Sequence, residues 1–182
     1  MTRRRLILAG GLAACLRVRT GSSQQSTPNQ EEWTRALGTE KSMAAQFISL
    51  LNQFGPKDMA QYAKGIVLYA SAKADFDGLI SELELRLVEA RPPDQNASFQ
   101  AALKQAVEKR VTFTDFVSNS ILPQTSGTSR GVGSFIQTVP ELLKVLIDAG
   151  ISIWHEYRLA SDTRRKEIRQ VLENLRWPPF TR

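Results

Sequence analysis

Cysteine and histidine, the side chains best suited to nucleophilic or metal chemistry, occur once each, as Cys15 and His155. A lone histidine excludes the metal motif H-E-x-x-H, which needs two. As a general base, His155 would need a neighbouring nucleophile, and the sequence identifies none. We therefore predict a surface or capped histidine, no catalytic residue and no cofactor. A lone cysteine likewise excludes an internal disulfide and a thiolate metal cluster.

A second candidate is the acidic segment from Lys73 to Glu84. It resembles an EF-hand calcium loop because several of its residues lie in the register of that loop: Asp75, Asp77, Gly78, Ile80 and Glu84. The first position, however, is Lys73, whose ammonium group repels a cation and offers no lone pair. The helical spacing of apolar residues also continues through the segment. We predict a continuous helix with an acidic exposed face, and no metal site.

The glycine-rich stretch 125–134, TSGTSRGVGS, precedes a predicted helix. Its backbone N–H groups could cradle an anion. A phosphate-binding loop would also need a preceding strand and a lysine after the last glycine, and both are missing here. We interpret the stretch as a mobile loop between helices.

The first 15 residues have the layout of an export signal, with basic TRRR followed by apolar LILAGGLAA. The apolar run is too short to span a bilayer. Leu12-Ala13-Ala14-Cys15 resembles the lipobox of bacterial lipoproteins. This resemblance implies that diacylglycerol is attached to the Cys15 sulfur and that residues 1–14 are removed as a signal peptide. Residues 15–30, rich in Gly, Ser, Gln and Thr, would form a lipid-attached flexible tether.

Two other interpretations of this leader remain open: an exported protein without lipid, and a cytosolic protein with a chance leader. Ordinary signal peptidase cleavage after Ala14 would place Leu12 where a small residue is preferred. Arg17 and Arg19 follow the apolar run closely and oppose translocation. Residues 2–7, TRRRLI, weakly resemble the twin-arginine export signal, a route that tolerates such charge.

The basic character of the chain is concentrated in this region. Lysine and arginine number 24 against 18 acidic residues, a net charge of +6, and five of the arginines precede residue 20. The remainder is close to neutral, which argues against general nucleic-acid binding. The tail from Arg158 to Arg182 is locally basic. We interpret it as a solvated helix face, with contact to anionic lipid headgroups as the alternative.

Residues 31–182 are predicted to form an all-α domain, an antiparallel bundle of about four to five helices. Apolar residues recur at spacings of three and four, and prolines interrupt them. The predicted helices cover residues 39–54, 59–91, about 98–123, 134–159 and 161–175. Pro140 either kinks the fourth helix or marks its start. Within it, the apolar run Leu142–Trp154 predicts a buried central helix, too short for a membrane span.

The C-terminal Trp177-Pro178-Pro179-Phe180 is expected to fix the end of the chain onto the bundle, with an exposed proline-rich ligand as the alternative. Taken together, the sequence predicts a lipoprotein in the bacterial cell envelope, facing the periplasm or exterior, with a non-catalytic binding or structural role. Its expected partners are the membrane, through the lipid on Cys15, and an envelope protein, but no nucleic acid. An exported enzyme, a small-ligand-binding helical protein and a cytosolic interaction protein are the alternatives.

Overall fold

The computed structural model describes residues 28–53, 59–122 and 139–181. These residues contain five α-helices and no strand, which confirms the predicted all-α class. The helices are α1 (Pro28–Gln53), α2 (Met59–Arg86), α3 (Ala97–Phe116), α4 (Val139–Leu159) and α5 (Asp162–Asn174). A 3₁₀ turn, Pro93–Gln95, precedes α3, and a π-helical turn, Val117–Ile121, follows it.

Local sequence signals account for the starts of α3, α4 and α5. The Asn96 side chain caps α3 by accepting hydrogen bonds from the N–H groups of Ser98 and Phe99, and Ser161 caps α5. Pro140 is the second residue of α4 and marks its start, where a missing N–H costs no helical hydrogen bond. Helix α1 begins at Pro28, well before the predicted residue 39 and slightly before the expected domain boundary at residue 31.

The helices alternate in direction. Ser98 of α3 donates to Glu82 of α2, and further along the pair the Gln105 amide donates to Asp75 at 2.7 Å. Helix α4 runs back along α1, since the Trp33 indole near the start of α1 donates to Glu156 near the end of α4. One end of the bundle therefore combines the starts of α1, α3 and α5 with the ends of α2 and α4.

Residues Asp162–Thr181, named here the C-terminal segment, lie between α1 and α2. Along α1, Lys41 donates to the carbonyl of Asn174, and Asn52 donates to that of Thr181. Along α2, the Tyr69 hydroxyl donates to the Pro178 carbonyl at 2.7 Å. The segment closes the side of the bundle that α3 and α4 leave open.

The core is aromatic. Trp177 is 2% exposed and stacks on Phe76 and Tyr69, with ring centroids 5.4 and 5.7 Å apart. Phe113 of α3 packs edge-on against Phe47 and Tyr69. The prediction that Trp177 to Phe180 fixes the chain end onto the bundle is confirmed.

Helix α4 differs from the buried central helix that its composition predicted. Leu142, Leu146 and Ile153 face the core, but Lys144 and Asp148 are exposed. Because α4 packs chiefly against α1 and α3, only one side of the helix is covered. It is an amphipathic helix at the surface of the bundle.

Candidate functional site

The segment that resembles a calcium loop is part of the uninterrupted helix α2, so the predicted continuous helix is confirmed. The prediction that the acidic face is exposed is wrong, because the carboxylates are half-buried against neighbouring elements. Asp77 accepts a hydrogen bond from the backbone N–H of Trp177 at 3.2 Å, and Glu84 forms an ion pair with Arg176 at 3.1 Å. These carboxylates hold the C-terminal segment rather than a cation.

No group of three or more His, Cys, Asp or Glu side chains is placed to hold a metal ion within residues 28–53, 59–122 and 139–181. His155 is exposed, as predicted, and its ring lies edge-on to Trp154 with centroids 4.8 Å apart. Cys15, most of the tether and the glycine-rich stretch 125–134 lie outside the described residues.

Cationic side chains gather where α4 turns into α5. The guanidinium of Arg158 lies 4.9 Å from the centre of the Trp154 ring. Those of Arg165 and Arg169 lie 5.5 and 5.4 Å from the centre of the Tyr157 ring. Such cation–π contacts hold a guanidinium against a ring while its outer side stays in water. We name the group Arg158, Leu159, Arg165 and Arg169 the arginine corner.

Two of these arginines also bind backbone carbonyls, one in the turn that follows α2 and one in the last turn of α4. Arg158 donates to the carbonyl of Ala90 at 2.8 Å, and Arg165 donates to that of Tyr157 at 3.1 Å. Carbonyls in the last turn of a helix, such as that of Tyr157, carry partial negative charge and favour cations. The basic tail is therefore more than a solvated face, since part of its charge fixes the turn between α4 and α5.

Exposed apolar side chains accompany these cations. Leu159 is 89% exposed and Val88, just beyond α2, is 69% exposed. Val88 lines an open hollow of about 370 Å³ together with Tyr157, Arg158 and Arg165. A large apolar side chain in water gains nothing for folding, so Leu159 and Val88 add exposed apolar surface beside the cations.

The start of α1 is fastened to the same end of the bundle. Glu156 accepts hydrogen bonds from the Trp33 indole at 2.9 Å and from Arg164 at 2.6 Å. Arg164 also donates to Gln30 and to Glu167. Burial alone would lower the pKa of Arg164, but its two carboxylate partners outweigh burial and raise it. The chain N-terminal to Pro28 is thus joined to the body at the end that carries the arginine corner.

The basic tail is visible in the sequence, but the packing of its arginines on Trp154 and Tyr157 is not. Two local signals were present: Arg158 follows Trp154 by four residues, and Arg169 follows Arg165 by four, so each pair shares a helix face. The contact of Arg165 and Arg169 with Tyr157 depends on α5 folding back beside α4. The spacing within one helix does not reveal this contact.

No protein-family model, curated protein or solved structure matches this chain. Among the described residues, no helix combines the length and apolar character needed to cross a bilayer.

Proposed function

We propose that this protein is a bacterial lipoprotein whose helical body has a non-catalytic binding or structural role at the membrane surface. The observation that carries the proposal is Leu12-Ala13-Ala14-Cys15 at the end of a leader with basic and apolar regions. Lipid on Cys15 would localise a body that has no membrane-crossing helix among its described residues. Several acyl chains on one cysteine hold a protein at a bilayer far more firmly than one chain does.

The position of Pro28 supports this proposal. Twelve residues lie between Cys15 and Pro28, and the chain from one to the other spans at most about 45 Å when fully extended. A flexible chain of this length has a root-mean-square span of about 20 Å. The body would therefore stay close to the bilayer, with the end that carries Gln30 and Trp33 nearest to the anchor.

The contacts of the polar residues support a role without catalysis. The half-buried carboxylates of α2 bind the C-terminal segment, and Glu156 binds Trp33 and Arg164. The ring of the exposed His155 packs edge-on against Trp154. An exported enzyme would use a polar pocket in which such groups converge.

Replacement of the attachment atom tests the anchor. We expect Cys15→Ser to move the protein from the membrane to the soluble fraction in bacterial cells and to abolish incorporation of labelled palmitate. Ser22→Ala, a change of similar size in the predicted tether, should alter neither. Mass spectrometry of the membrane-bound protein should find lipid-modified Cys15 as its first residue. A wild-type protein that incorporates no labelled palmitate, or that carries an unmodified Cys15, would overturn the proposal.

A further inference from the structure

We propose that the arginine corner docks onto the headgroups of anionic phospholipids and so fixes the orientation of the body on the membrane. The inference rests on the proposed function only for the way in which the body reaches the bilayer. The corner itself consists of side chains of α4 and α5. Its affinity for lipid can therefore be measured on protein that lacks the anchor.

Arg158 and Arg169 carry positive charge that no carboxylate among the described residues balances through a hydrogen bond. Arg169 lies over Tyr157 and makes no hydrogen bond to any described residue, while Arg158 uses one nitrogen, Nη1, on the Ala90 carbonyl. Their remaining N–H groups are available to phosphate oxygens, which guanidinium groups bind in pairs.

The carboxylates near the corner do not cancel this charge. Asp162 is bound to Arg165 at 3.4 Å. Glu89 is bound to Arg86. Glu84 and Glu173, which line a neighbouring hollow with Arg169, are both bound to Arg176. The carboxylates beside Arg158 and Arg169 therefore form their hydrogen-bonded ion pairs with other arginines, and Glu84 adds a longer-range attraction to Arg169.

The arginine corner also contains an exposed apolar residue, Leu159. Leu159 follows Arg158 directly and is 89% exposed at the turn between two helices. Surfaces that bind the bilayer interface combine an inserted apolar side chain with cations at headgroup level. An acidic protein partner would match the same side chains, and the vesicle experiment below includes an acidic polypeptide as the competing ligand.

The arginine corner lies at the end of the body where the tether joins α1. Arg164, the residue before Arg165, contacts Gln30 in the first turns of α1, so the tether enters the body beside the corner. Tethering makes a weak second contact effectively intramolecular. Glu32, an exposed acidic residue of α1, lines a separate hollow between α1 and α4 with Val145 and Asp148. Negative charge at this end therefore lies partly on another side of the body.

Vesicle binding tests the inference in the absence of lipid on the protein. The full chain carrying Cys15→Ser is mixed with vesicles of phosphatidylcholine, alone or with roughly 30 mol% phosphatidylglycerol. In this background, Arg158→Gln/Arg169→Gln should lower the partition coefficient onto anionic vesicles by about 30-fold, roughly fivefold per cation. Leu159→Ser should lower it by about fivefold. Neither change should affect the weak binding to phosphatidylcholine by more than about twofold.

Matched controls separate the corner from net charge and from the leader. Lys104→Gln/Lys109→Gln removes two exposed cations of α3, and Val67→Ser removes an apolar side chain that is 67% exposed on α2. Equal losses in the control and corner variants would overturn the inference, as would unchanged binding of the corner variants. Tighter, arginine-dependent binding to polyglutamate than to vesicles would also overturn it, because it would identify an acidic protein partner. Circular dichroism confirms that each variant is folded.

Orientation is then tested on the lipid-anchored protein, where Cys15 is blocked and an introduced cysteine is the one free thiol. An environment-sensitive fluorophore on Leu159→Cys should report an apolar surrounding in anionic vesicles, whereas the same label on Val67→Cys should report water. Equal signals at the two positions would overturn the docked orientation. A free Cys15 thiol would instead count against the proposed function, so the two failures are distinguishable.

Discussion

Arg110 of α3 and Glu40 of α1 form a bidentate ion pair inside the bundle. Arg110 donates from Nε to Oε2 at 3.2 Å and from Nη2 to Oε1 at 3.3 Å. Their side chains are 3% and 5% exposed. Burial raises the pKa of Glu40, while the charge of Arg110 and its hydrogen bond oppose that rise. Removing the two charges from water costs free energy, and the attraction between them offsets that cost.

Removal of one partner should therefore cost more than removal of both. We expect Arg110→Met to lower the free energy of unfolding by about 3–5 kcal/mol, because it leaves the Glu40 carboxylate buried without its bidentate partner. Glu40→Leu/Arg110→Met should recover most of that loss, since two apolar side chains need no desolvated charge. Urea denaturation of the wild type, both single variants and the double variant measures the coupling. Additive losses would show that the pair is not coupled.

The same pair predicts a pH dependence. Because burial raises the pKa of folded Glu40 above its ordinary value of 4.5, the folded state binds this proton more tightly than the unfolded state. The contribution of Glu40 to stability is then fully present below pH 4.5 and is lost as the pH rises through the folded pKa.

Arg110→Met removes the charge and the hydrogen bond that lower the pKa of Glu40. The loss of folding stability on raising the pH should therefore be larger in this variant. We expect the deficit of Arg110→Met relative to the wild type to be larger at about pH 8 than at about pH 5. Adding Glu40→Gln should remove this pH dependence, because the amide does not titrate. A deficit that stays constant across this range would contradict the assignment to Glu40.

The helices could be predicted because their signals are local. Apolar spacing identified the buried faces of α1 and α2, and prolines marked the interruptions between helices. The acidic residues of α2 were correctly placed on a helix, but their surroundings were not. The partner of Glu84 is Arg176, 92 residues away, and a helical pattern carries no information on a contact at that separation.

The same limit applies to the ion pair and the arginine corner. Glu40 and Arg110 are 70 residues apart, and each taken singly fits an exposed helix position. The corner depends on the tight turn at Ser161, which brings Arg165 and Arg169 beside Tyr157. Charge counting located the basic tail, whereas only the packing of α5 shows which of its cations face solvent.

Two glycines of α2 should respond in opposite directions to alanine. A Cβ atom on Gly65 would lie 2.5 Å from Cδ2 of the fully buried Leu51 and 3.3 Å from Cε1 of Phe116. We expect Gly65→Ala to lower the free energy of unfolding by about 1–2 kcal/mol, because overpacking outweighs the gain in helix propensity.

Gly78 supplies the matched control in the same helix. A Cβ atom there meets nothing within 4 Å, so Gly78→Ala should raise stability by about 0.5–1 kcal/mol through lower backbone entropy in the unfolded chain. Thermal and urea denaturation of the two variants side by side measure the difference. If both variants were stabilised, α1 and α3 could not approach α2 as closely as Leu51 and Phe116 indicate.

The C-terminal segment should contribute to the core as a helix does, although Trp177 to Thr181 is irregular chain. Trp177 lies between Phe76 and Tyr69, and its backbone N–H is bound by Asp77. We expect Trp177→Ala to lower the free energy of unfolding by about 3–5 kcal/mol, since it leaves a large cavity in the aromatic core beside Phe76 and Tyr69. Tyr69→Phe, which removes the hydrogen bond to the Pro178 carbonyl, should cost about 1 kcal/mol. Urea denaturation measures both losses. If Trp177→Ala cost no more than Tyr69→Phe, the bundle would be stable without the segment, and the stacking of Trp177 on α2 would not contribute to its core.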